Sequence, residues 1–331
     1  MQNKPFLSIV IPVYNGAKVI NRCLNSIWGQ ELEESTYEVI CVNDCSTDNT
    51  EQVIKQTQKS HANLRLLSNL KNKRAGGSRN YGVKEANGEY IVFIDADDYF
   101  HPTALKTAVE YIKKTNLDIL MCDNSRGQEN SIQQEMIHKY FNTNIQNGEK
   151  FFITNGFPLA PWKFIFRKEL MLTQQLFFAE NVQAEDADWV IKIGLSAKNI
   201  QYQPICLIHY VLTPSSLSAN SYSARNFHDT IECGNRLYQL AMQYNSNKAI
   251  SQRILNLSNF YYKEALKIML QFDCKPSIKA LNLKQICSNK PQLDNKIALI
   301  KQFATITSWF SNIVAPLIST AVKLKRKIIG R

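Results

Sequence analysis

Long apolar runs, paired cysteines and a leader segment are missing from this 331-residue chain. No stretch of about 18 uninterrupted apolar residues occurs, which argues against a membrane-spanning helix. The 8 cysteines form no CxxC pair, so we interpret them as reduced thiols of a cytosolic protein. The first residues lack the charge order, apolar core and cleavage site of a signal peptide. Together these absences predict a cytoplasmic protein.

Several motifs of well-known enzyme classes are also missing. No GxGxxG follows the first predicted strand, and the sequence contains neither a P-loop nor a serine nucleophile elbow. Internal repeats and low-complexity tracts are absent as well. A content of 44% hydrophobic and 20% charged residues excludes a disordered chain.

Acidic residues are scarce in the last third of the chain. Residues 1–221 hold 22 Lys and Arg against 23 Asp and Glu, whereas residues 222–331 hold 17 against 5. The net charge of +11 therefore divides into −1 and +12. Such asymmetry predicts an anionic partner for the last third, either a membrane surface or a nucleic acid.

Short β-branched runs alternate with helical patterns over the first 125 residues. This alternation predicts an α/β fold with an open, mostly parallel sheet and helices on both faces. The predicted strands are 7–13, 37–42, 64–67, 90–94 and 119–122, and the predicted helices are 49–60, 76–86 and 102–114. Residues 125–150 are polar and predicted as loops, and 151–221 as mixed short elements. From residue 222 the pattern is helical, with Leu240, Ile254 and Phe260 among the core candidates.

Polar clusters follow three of the predicted strands: Tyr14-Asn15, Asn43–Asp48 and Asp95–Asp98. In open α/β sheets, ligands bind beyond the carboxyl ends of the strands. The pattern alone therefore predicts a ligand site at this edge of the sheet.

Asp95, Asp97 and Asp98 form the densest acidic cluster. Three carboxylates within four positions repel one another unless a cation is near, and Mg²⁺ or Mn²⁺ prefers such oxygen ligands. The alternative is a strand-to-helix turn in which an aspartate caps the helix. The cluster by itself leaves both interpretations open.

Other candidates are less specific. Arg79 follows Gly76-Gly77-Ser78, where backbone can approach a ligand, and arginine suits phosphate contacts. Asp44 can accept a hydrogen bond from a base or a ribose, whereas Asp48 is interpreted as a turn or cap residue. A carboxylate of the second acidic group, Glu185-Asp186-Ala187-Asp188, can serve as a general base, or the group can simply form a capped helix start. A lone histidine such as His209 is more often structural than a ligand.

In this order the phrases resemble the family 2 glycosyltransferases with the GT-A fold, over residues 5–220. Six phrases carry the resemblance: LSIVIPVYNG (7–16), VNDCSTD (42–48), AGGSRNYG (75–82), NGEYIVFIDADDY (87–99), PWKFIFRKEL (161–170) and Glu185-Asp186. The resemblance implies an inverting enzyme that moves a sugar from a nucleotide-diphosphate donor, a UDP-sugar, to a glycan or lipid-linked acceptor.

The resemblance also implies roles for individual residues, with Mn²⁺ or Mg²⁺ as the cofactor. The catalytic base would be Asp186, and Trp162 would shape the donor or acceptor pocket. Asp97 would bind the metal, with His209 as a further candidate ligand. The implied donor site consists of Pro12, Tyr14 and Asn15 at the nucleoside, Asp44 at the base, Arg79 near the diphosphate, and Asp95 with Ala96 near the ribose.

These expectations divide the chain into a catalytic domain, 1–221, and a helical region, 222–331. Within the catalytic domain, 1–125 would bind the nucleotide sugar and 126–221 the acceptor. Residues 303–331 combine an apolar helical stripe with terminal cations, which is typical of an interfacial membrane helix, although an oligomerisation helix is the alternative. The competing function is a non-catalytic basic module that binds nucleic acid or glycan. The basic third lacks the aromatic–basic motifs of RNA readers, so no nucleic-acid partner is expected.

Overall fold

The computed structural model describes residues 4–128, 131–135, 141–212 and 223–271. The chain divides into two compact units, Met1–Pro214 and Ser215–Arg331. The domain boundary predicted at residue 221 lies outside the described residues and stays a prediction.

The first unit is built on a nine-stranded sheet. Along the sheet the strands are ordered β3-β2-β1-β4-β8-β6-β9-β5, and β7 pairs with β6. Their bounds are Leu7–Val13 (β1), Tyr37–Asn43 (β2), Leu64–Ser68 (β3), Tyr90–Phe93 (β4), Tyr99–Phe100 (β5), Ile119–Gln128 (β6), Ser131–Glu135 (β7), Phe164–Arg167 (β8) and Ile200–Val211 (β9).

Among the described residues, seven α-helices accompany this sheet, and two longer ones belong to the second unit. Their bounds are Ile20–Trp28 (α1), Thr50–Gln58 (α2), Arg74–Glu85 (α3), Ala104–Thr115 (α4), Gly148–Thr154 (α5), Lys168–Thr173 (α6), Asp186–Ser196 (α7), Ala224–Gln243 (α8) and Lys248–Gln271 (α9).

The sheet is parallel at one end and mixed at the other. Strands β3, β2, β1 and β4 pair in parallel, with Val10 of β1 opposite both Ile40 and Phe93. Beyond β4 the sheet turns antiparallel through β8, while β6 and β9 are again parallel. All seven residues of β1 are buried, because it has a strand on each side and its run of apolar residues lies inside the sheet. The predicted α/β class is confirmed.

Two apolar layers cover the sheet. On one face, α1 and α4 bury Ile27, Leu105 and similar side chains against β1 and β4. The other layer is aromatic: Phe93 of β4 contacts Phe166 and Phe178, and Phe178 stacks on Trp189 of α7 with centroids 4.2 Å apart. This aromatic layer connects α7 to the sheet.

The second unit, where it is described, is the pair α8 and α9, which pack against each other. Gly234 of α8 allows this close approach, since a Cβ there would lie 3.1 Å from the Tyr262 ring. Leu240 and Ile254 are buried as predicted. Phe260 is 51% exposed, so its prediction as a core residue was wrong, and Tyr262 two positions later is buried instead.

Two further sequence predictions can be compared with the structure, one for residues 125–150 and one for a membrane-spanning helix. Residues 125–150 are not all loop, because β6 continues to Gln128 and β7 pairs with it. No helix within the described ranges is long and apolar enough to cross a membrane. The predicted tail, 303–331, lies outside those ranges.

Candidate functional site

The loops after β1 and β2 are tied together by side chains. The Thr47 amide donates to Asn15 Oδ1 at 2.7 Å, and the Asn15 amide donates to Ser46 Oγ at 2.9 Å. Asn15 also has a left-handed backbone, with φ of 52°, which asparagine tolerates better than most residues. Pro12 is buried within β1, whereas the Tyr14 side chain just beyond it is 55% exposed. The residues predicted to contact the nucleoside therefore lie in or next to a turn that these hydrogen bonds hold in place.

Asp44 is buried at the end of β2 and has defined partners. Its Oδ1 accepts from Asn69 Nδ2 at 2.8 Å and from the Lys73 amide at 2.7 Å. The amide group of Asn69 also donates to Ser78 Oγ of α3 at 2.9 Å. Asp44 is thus fixed against the start of α3.

Asp48 has the turn role expected of it. Its Oδ1 accepts from the Thr50 amide, the first residue of α2, at 3.0 Å, and its Oδ2 accepts from the Ala17 amide at 3.1 Å. The side chain thereby satisfies a backbone donor at the helix start that has no partner within the helix.

Arg79 lies within α3, and its side chain is only 5% exposed. One terminal nitrogen donates to Asp95 Oδ1 at 2.7 Å and the other to Glu185 Oε1 at 2.9 Å. Burial by itself would lower the pKa of this guanidinium, but the two carboxylates raise it above its usual value. The charge of Arg79 therefore faces two acidic groups of the chain itself.

The acidic turn after β4, Asp95–Asp98, brings three carboxyl groups close together, which is a local surplus of acidic groups. Burial and the neighbouring Asp95 raise the pKa of Asp97. Burial, Asp95 and Asp97 raise the pKa of Asp98 to about 9, although Asp98 Oδ1 accepts from the Val211 amide at 2.9 Å. Ala96 packs on the apolar core beneath the turn. A divalent cation would relieve this surplus, so the oxygen donors of Asp95 and Asp97 fit Mn²⁺ or Mg²⁺.

Asp186 begins α7, next to the Arg79 partner Glu185. Burial and the adjacent Glu185 raise the pKa of Asp186 to about 7, while Arg79 opposes the shift. A carboxylate whose pKa lies near neutrality is suited to accept a proton from a hydroxyl.

Trp162 lies in the short turn Pro161–Lys163 that leads into β8. Because β8 pairs antiparallel with β4, Trp162 lies at the end where Asp95 follows β4. Its ring stacks on Tyr210 of β9, with centroids 5.9 Å apart and planes at 16°. These two rings form an aromatic surface beside the acidic turn.

His209 is fully buried on β9. Its Nδ1 lies 2.7 Å from Ser125 Oγ, and its ring is 4.8 Å from that of Tyr99. Ser125 also lies 2.6 Å from His101 Nε2. Across the described part of the chain, no group of three or more His, Cys, Asp or Glu side chains could hold a metal ion. Asp97 and His209 as ligands of one metal therefore stay a prediction.

Sequence reasoning gave no individual role to Glu185 or Asn80, each of which has a defined contact at this edge. Asn80 exchanges two hydrogen bonds with the backbone of Phe178, and Glu185 binds Arg79. Their partners lie 98 and 106 residues away in the chain. Local pattern contains no signal for contacts of that span.

Comparison with known proteins finds similarity to glycosyltransferases. The family described as glycosyl transferase family 2 matches residues 8–172. A poly(ribitol-phosphate) beta-glucosyltransferase of Bacillus spizizenii is 32% identical over 59% of this chain and 30% of its own length. The uncharacterized glycosyltransferase YibD of Escherichia coli is 23% identical over 90% of this chain and 84% of its own.

Solved structures share the fold. Staphylococcus aureus TarS 1-349 in complex with UDP has a TM-score of 0.71 and 21% identity, covering 96% of this chain and 91% of that one. A mannosyltransferase of Pyrobaculum calidifontis in complex with GDP-Man and Mn²⁺ has a TM-score of 0.53 at 17% identity, over 97% of this chain and 87% of that one. The chain spans about a third of the length of the curated relatives with 32% identity, which it covers to 30% and 33%.

Proposed function

The chain belongs to glycosyl transferase family 2, and from this we propose that it transfers a sugar from a UDP-sugar to a hydroxyl of a glycan or lipid-linked acceptor. The reaction would serve the synthesis of a cell-surface polysaccharide. Relatives that are named poly(ribitol-phosphate) transferases, and a fold neighbour in complex with UDP-GlcNAc, support this choice of donor and acceptor class.

The observation that carries the proposal is the placement of Asp186. Its carboxyl has a pKa of about 7 and begins a helix whose preceding residue is joined through Arg79 to Asp95 of the acidic turn. The buried Arg79 guanidinium therefore links the segment that carries the proposed base, Asp186, to the acidic turn. Asp186 would take the proton of the acceptor hydroxyl as its oxygen attacks the anomeric carbon. A single displacement of this kind inverts the configuration at that carbon.

The acidic turn would hold the donor together with Mn²⁺ or Mg²⁺. Asp97 would bind the metal, Asp95 and Ala96 would lie near the ribose, and His209 is a further candidate ligand. When bound, the metal would compensate the negative charge that develops on the departing nucleoside diphosphate. The remaining metal ligands would come from the diphosphate and water, as is usual for Mg²⁺ at phosphate-binding sites.

The loops after β1 and β2 would receive the nucleoside. Pro12, Tyr14 and Asn15 would line it, and Asp44 would accept a hydrogen bond from the base. Trp162, stacked on Tyr210 beside the acidic turn, would offer an apolar ring face to a sugar.

A donor and metal screen tests this function. The purified chain is mixed with UDP-GlcNAc or UDP-glucose, Mn²⁺, and poly(ribitol phosphate) or a lipid-linked glycan, and UDP release is measured. We expect release with at least one donor, and we expect EDTA to abolish it. If no nucleotide sugar is consumed or shifts the melting temperature, the competing function as a non-catalytic basic module that binds nucleic acid or glycan is favoured.

We further propose that the basic tail, residues 303–331, keeps the protein at the inner face of the cell membrane. The support is its sequence, an apolar stripe followed by Lys323, Lys325, Arg326 and Lys327. Deleting 303–331 should release the protein from phosphatidylglycerol vesicles in a sedimentation assay. Unchanged vesicle binding would contradict the anchor, and a smaller oligomer with unchanged binding would favour the oligomerisation alternative.

A further inference from the structure

We propose that Arg79 and Asn80 of α3 are positioning residues that hold the segment carrying the base against the acidic turn. This base segment comprises residues 176–186 and contains both Glu185 and Asp186. The role goes beyond the proposed function and rests on it for its catalytic meaning. It assigns to α3 a different task from the diphosphate contact that the sequence suggested for Arg79.

The first observation is the charge bridge made by Arg79. Its two terminal nitrogens lie 2.7 Å from Asp95 Oδ1 and 2.9 Å from Glu185 Oε1. The two partners belong to the acidic turn and to the base segment, which are separated by some 90 residues of chain. Glu185 is only 12% exposed, so this contact is shielded from solvent and weakly screened. One side chain therefore connects the donor side of the site to the base side.

Aromatic rings fix the orientation of that side chain. The Arg79 guanidinium carbon lies 5.8 Å from the Phe93 ring centroid and 5.5 Å from that of Phe178, within the range of cation–π contacts. Phe178 belongs to the base segment and stacks on Trp189 of α7. A planar guanidinium can make both ion pairs while lying against these rings, whereas a lysine ammonium cannot.

Asn80 provides a second connection that does not depend on charge. Its Nδ2 donates to the Phe178 carbonyl at 2.9 Å, and its Oδ1 accepts from the Phe178 amide at 2.9 Å. Both groups are buried, so the loss of the Asn80 side chain would leave two backbone groups of the segment without partners.

The helix backbone itself also touches the base segment. A Cβ at Gly76 would lie 2.7 Å from the Ala179 carbonyl oxygen and 2.8 Å from Glu185 Cγ. The Asn181 amide donates to the Lys73 carbonyl at 3.2 Å. Only glycine at position 76 allows this approach, which explains a glycine in the first turn of α3.

The base segment has a backbone that needs such support. Asn181 and Ala184 have φ values of 62° and 53°, in the left-handed region that non-glycine residues seldom adopt. Conformations of this kind cost free energy and persist only where surrounding contacts fix them. The contacts with α3 fix the segment on both sides of these two residues.

The experiment compares Arg79→Lys and Asn80→Ala with the matched control Glu38→Gln. Glu38 is a buried partner of Arg65 at 2.9 Å, at the opposite edge of the sheet. Hydrogen exchange of the amides of residues 181–186 is measured in the full chain, well below its melting temperature. We expect exchange about tenfold faster in both α3 variants, as for the loss of one buried hydrogen bond, and unchanged exchange there in the control.

A kinetic measurement distinguishes positioning from donor binding. With UDP-GlcNAc, Mn²⁺ and poly(ribitol phosphate), we expect kcat to fall about 100-fold in both α3 variants, as for a base displaced by about 1 Å, with the donor KM nearly unchanged. Asn80→Asp keeps the acceptor for the Phe178 amide and should recover part of the loss. Glu38→Gln should leave kcat unchanged.

Three results would overturn the proposal. One is unchanged exchange of residues 181–186 in Asn80→Ala, which removes no charge and serves as the decisive variant if Arg79→Lys does not fold. Another is equal acceleration in Glu38→Gln, which would mean general loosening. The third is a raised donor KM with unchanged kcat in Arg79→Lys, the signature of a diphosphate contact. If the wild type releases no UDP from any nucleotide sugar, the proposed function fails, and hydrogen exchange alone decides whether α3 holds the segment.

Discussion

The two edges of the parallel sheet, at the amino and the carboxyl ends of its strands, each contain an Arg–Glu pair with a largely buried glutamate, in opposite electrostatic settings. At the amino edge, Glu38 accepts from Ser8 Oγ at 2.6 Å, from Arg65 at 2.9 Å and from the side chain of Asn87 at 3.2 Å. Burial alone would raise the pKa of Glu38, but these hydrogen bonds lower it below its usual value. The carboxylate is fully paired within the protein.

At the carboxyl edge, carboxylates outnumber their partners. Arg79 faces both Asp95 and Glu185, and the pKa values of Asp97, Asp98 and Asp186 are all raised. Two edges of one sheet thus use the same residue types, and the difference lies in the balance of charge. A paired carboxylate stabilises the fold, whereas a surplus of carboxylates indicates a place for a cation and a proton.

The strongest test of this contrast is Asp186→Asn at the carboxyl edge. We expect a fall in kcat of about 1,000-fold, because the amide cannot take a proton from the acceptor. UDP release with the active donor measures the effect. Asp188→Asn is the matched control on the same helix, since Asp188 binds Lys192 at 2.6 Å and should affect stability only. Equal losses in the two variants would contradict the role of Asp186 as the base.

A smaller but still large effect is expected for Asp97→Ala. Loss of a metal ligand should lower kcat about 100-fold and raise the Mn²⁺ concentration needed for half-maximal rate. Titration of Mn²⁺ against UDP release in the wild type and the variant measures both. An unchanged Mn²⁺ requirement would contradict the role of Asp97 as a metal ligand.

The pH dependence of kcat/KM in the wild type is a further test of the raised pKa at the carboxyl edge. Asp186 has its pKa raised to about 7, so its carboxyl is protonated below that pH and ionised above it, and the proposed base would act only in the ionised form. We expect kcat/KM to fall about tenfold per pH unit on the acidic side. Because Glu185 raises this pKa, Glu185→Gln should move the acidic limb to lower pH. A rate that stays flat from about pH 5.5 to 8 would exclude Asp186 as the titrating base.

The smallest effect belongs to the amino edge. Glu38→Gln should destabilise the fold by about 2 kcal/mol at neutral pH without changing kcat. A lowered folded-state pKa means that the contribution of Glu38 is present above its unfolded pKa and is lost as the pH falls through the folded value. The difference in melting temperature between wild type and variant should therefore shrink in acid. A difference that does not change with pH would show that the Glu38 charge contributes nothing.

Local pattern predicted the elements of the parallel half closely. β1 runs from Leu7 to Val13 as predicted, and β2 and β4 differ from their predictions by one residue at one end. Buried parallel strands leave a continuous apolar signal that ends at a polar cluster. The region after residue 125 was predicted as loop, because β6 and β7 there include polar residues that the alternation rule does not recognise as strand.

The acidic residues of the candidate site could be found from sequence because they lie in two short acidic clusters. Asp95 and Asp97 follow β4 within four residues, and Asp186 begins α7, positions where ligand residues are expected. The partners of Arg79 and Asn80 could not be found this way, since each lies in a different element and far along the chain.

By itself, then, the amino-acid sequence determined the α/β class, the edge of the sheet that carries the candidate site and the acidic groups on it. Those properties follow from local periodicity and from residues that are neighbours in the chain. Only the tertiary structure decided that Arg79 binds Asp95 and Glu185, that Asn80 holds Phe178, and that the Asp186 pKa is near 7. Burial and pairing across some 100 residues depend on how elements pack, and no local pattern contains that information.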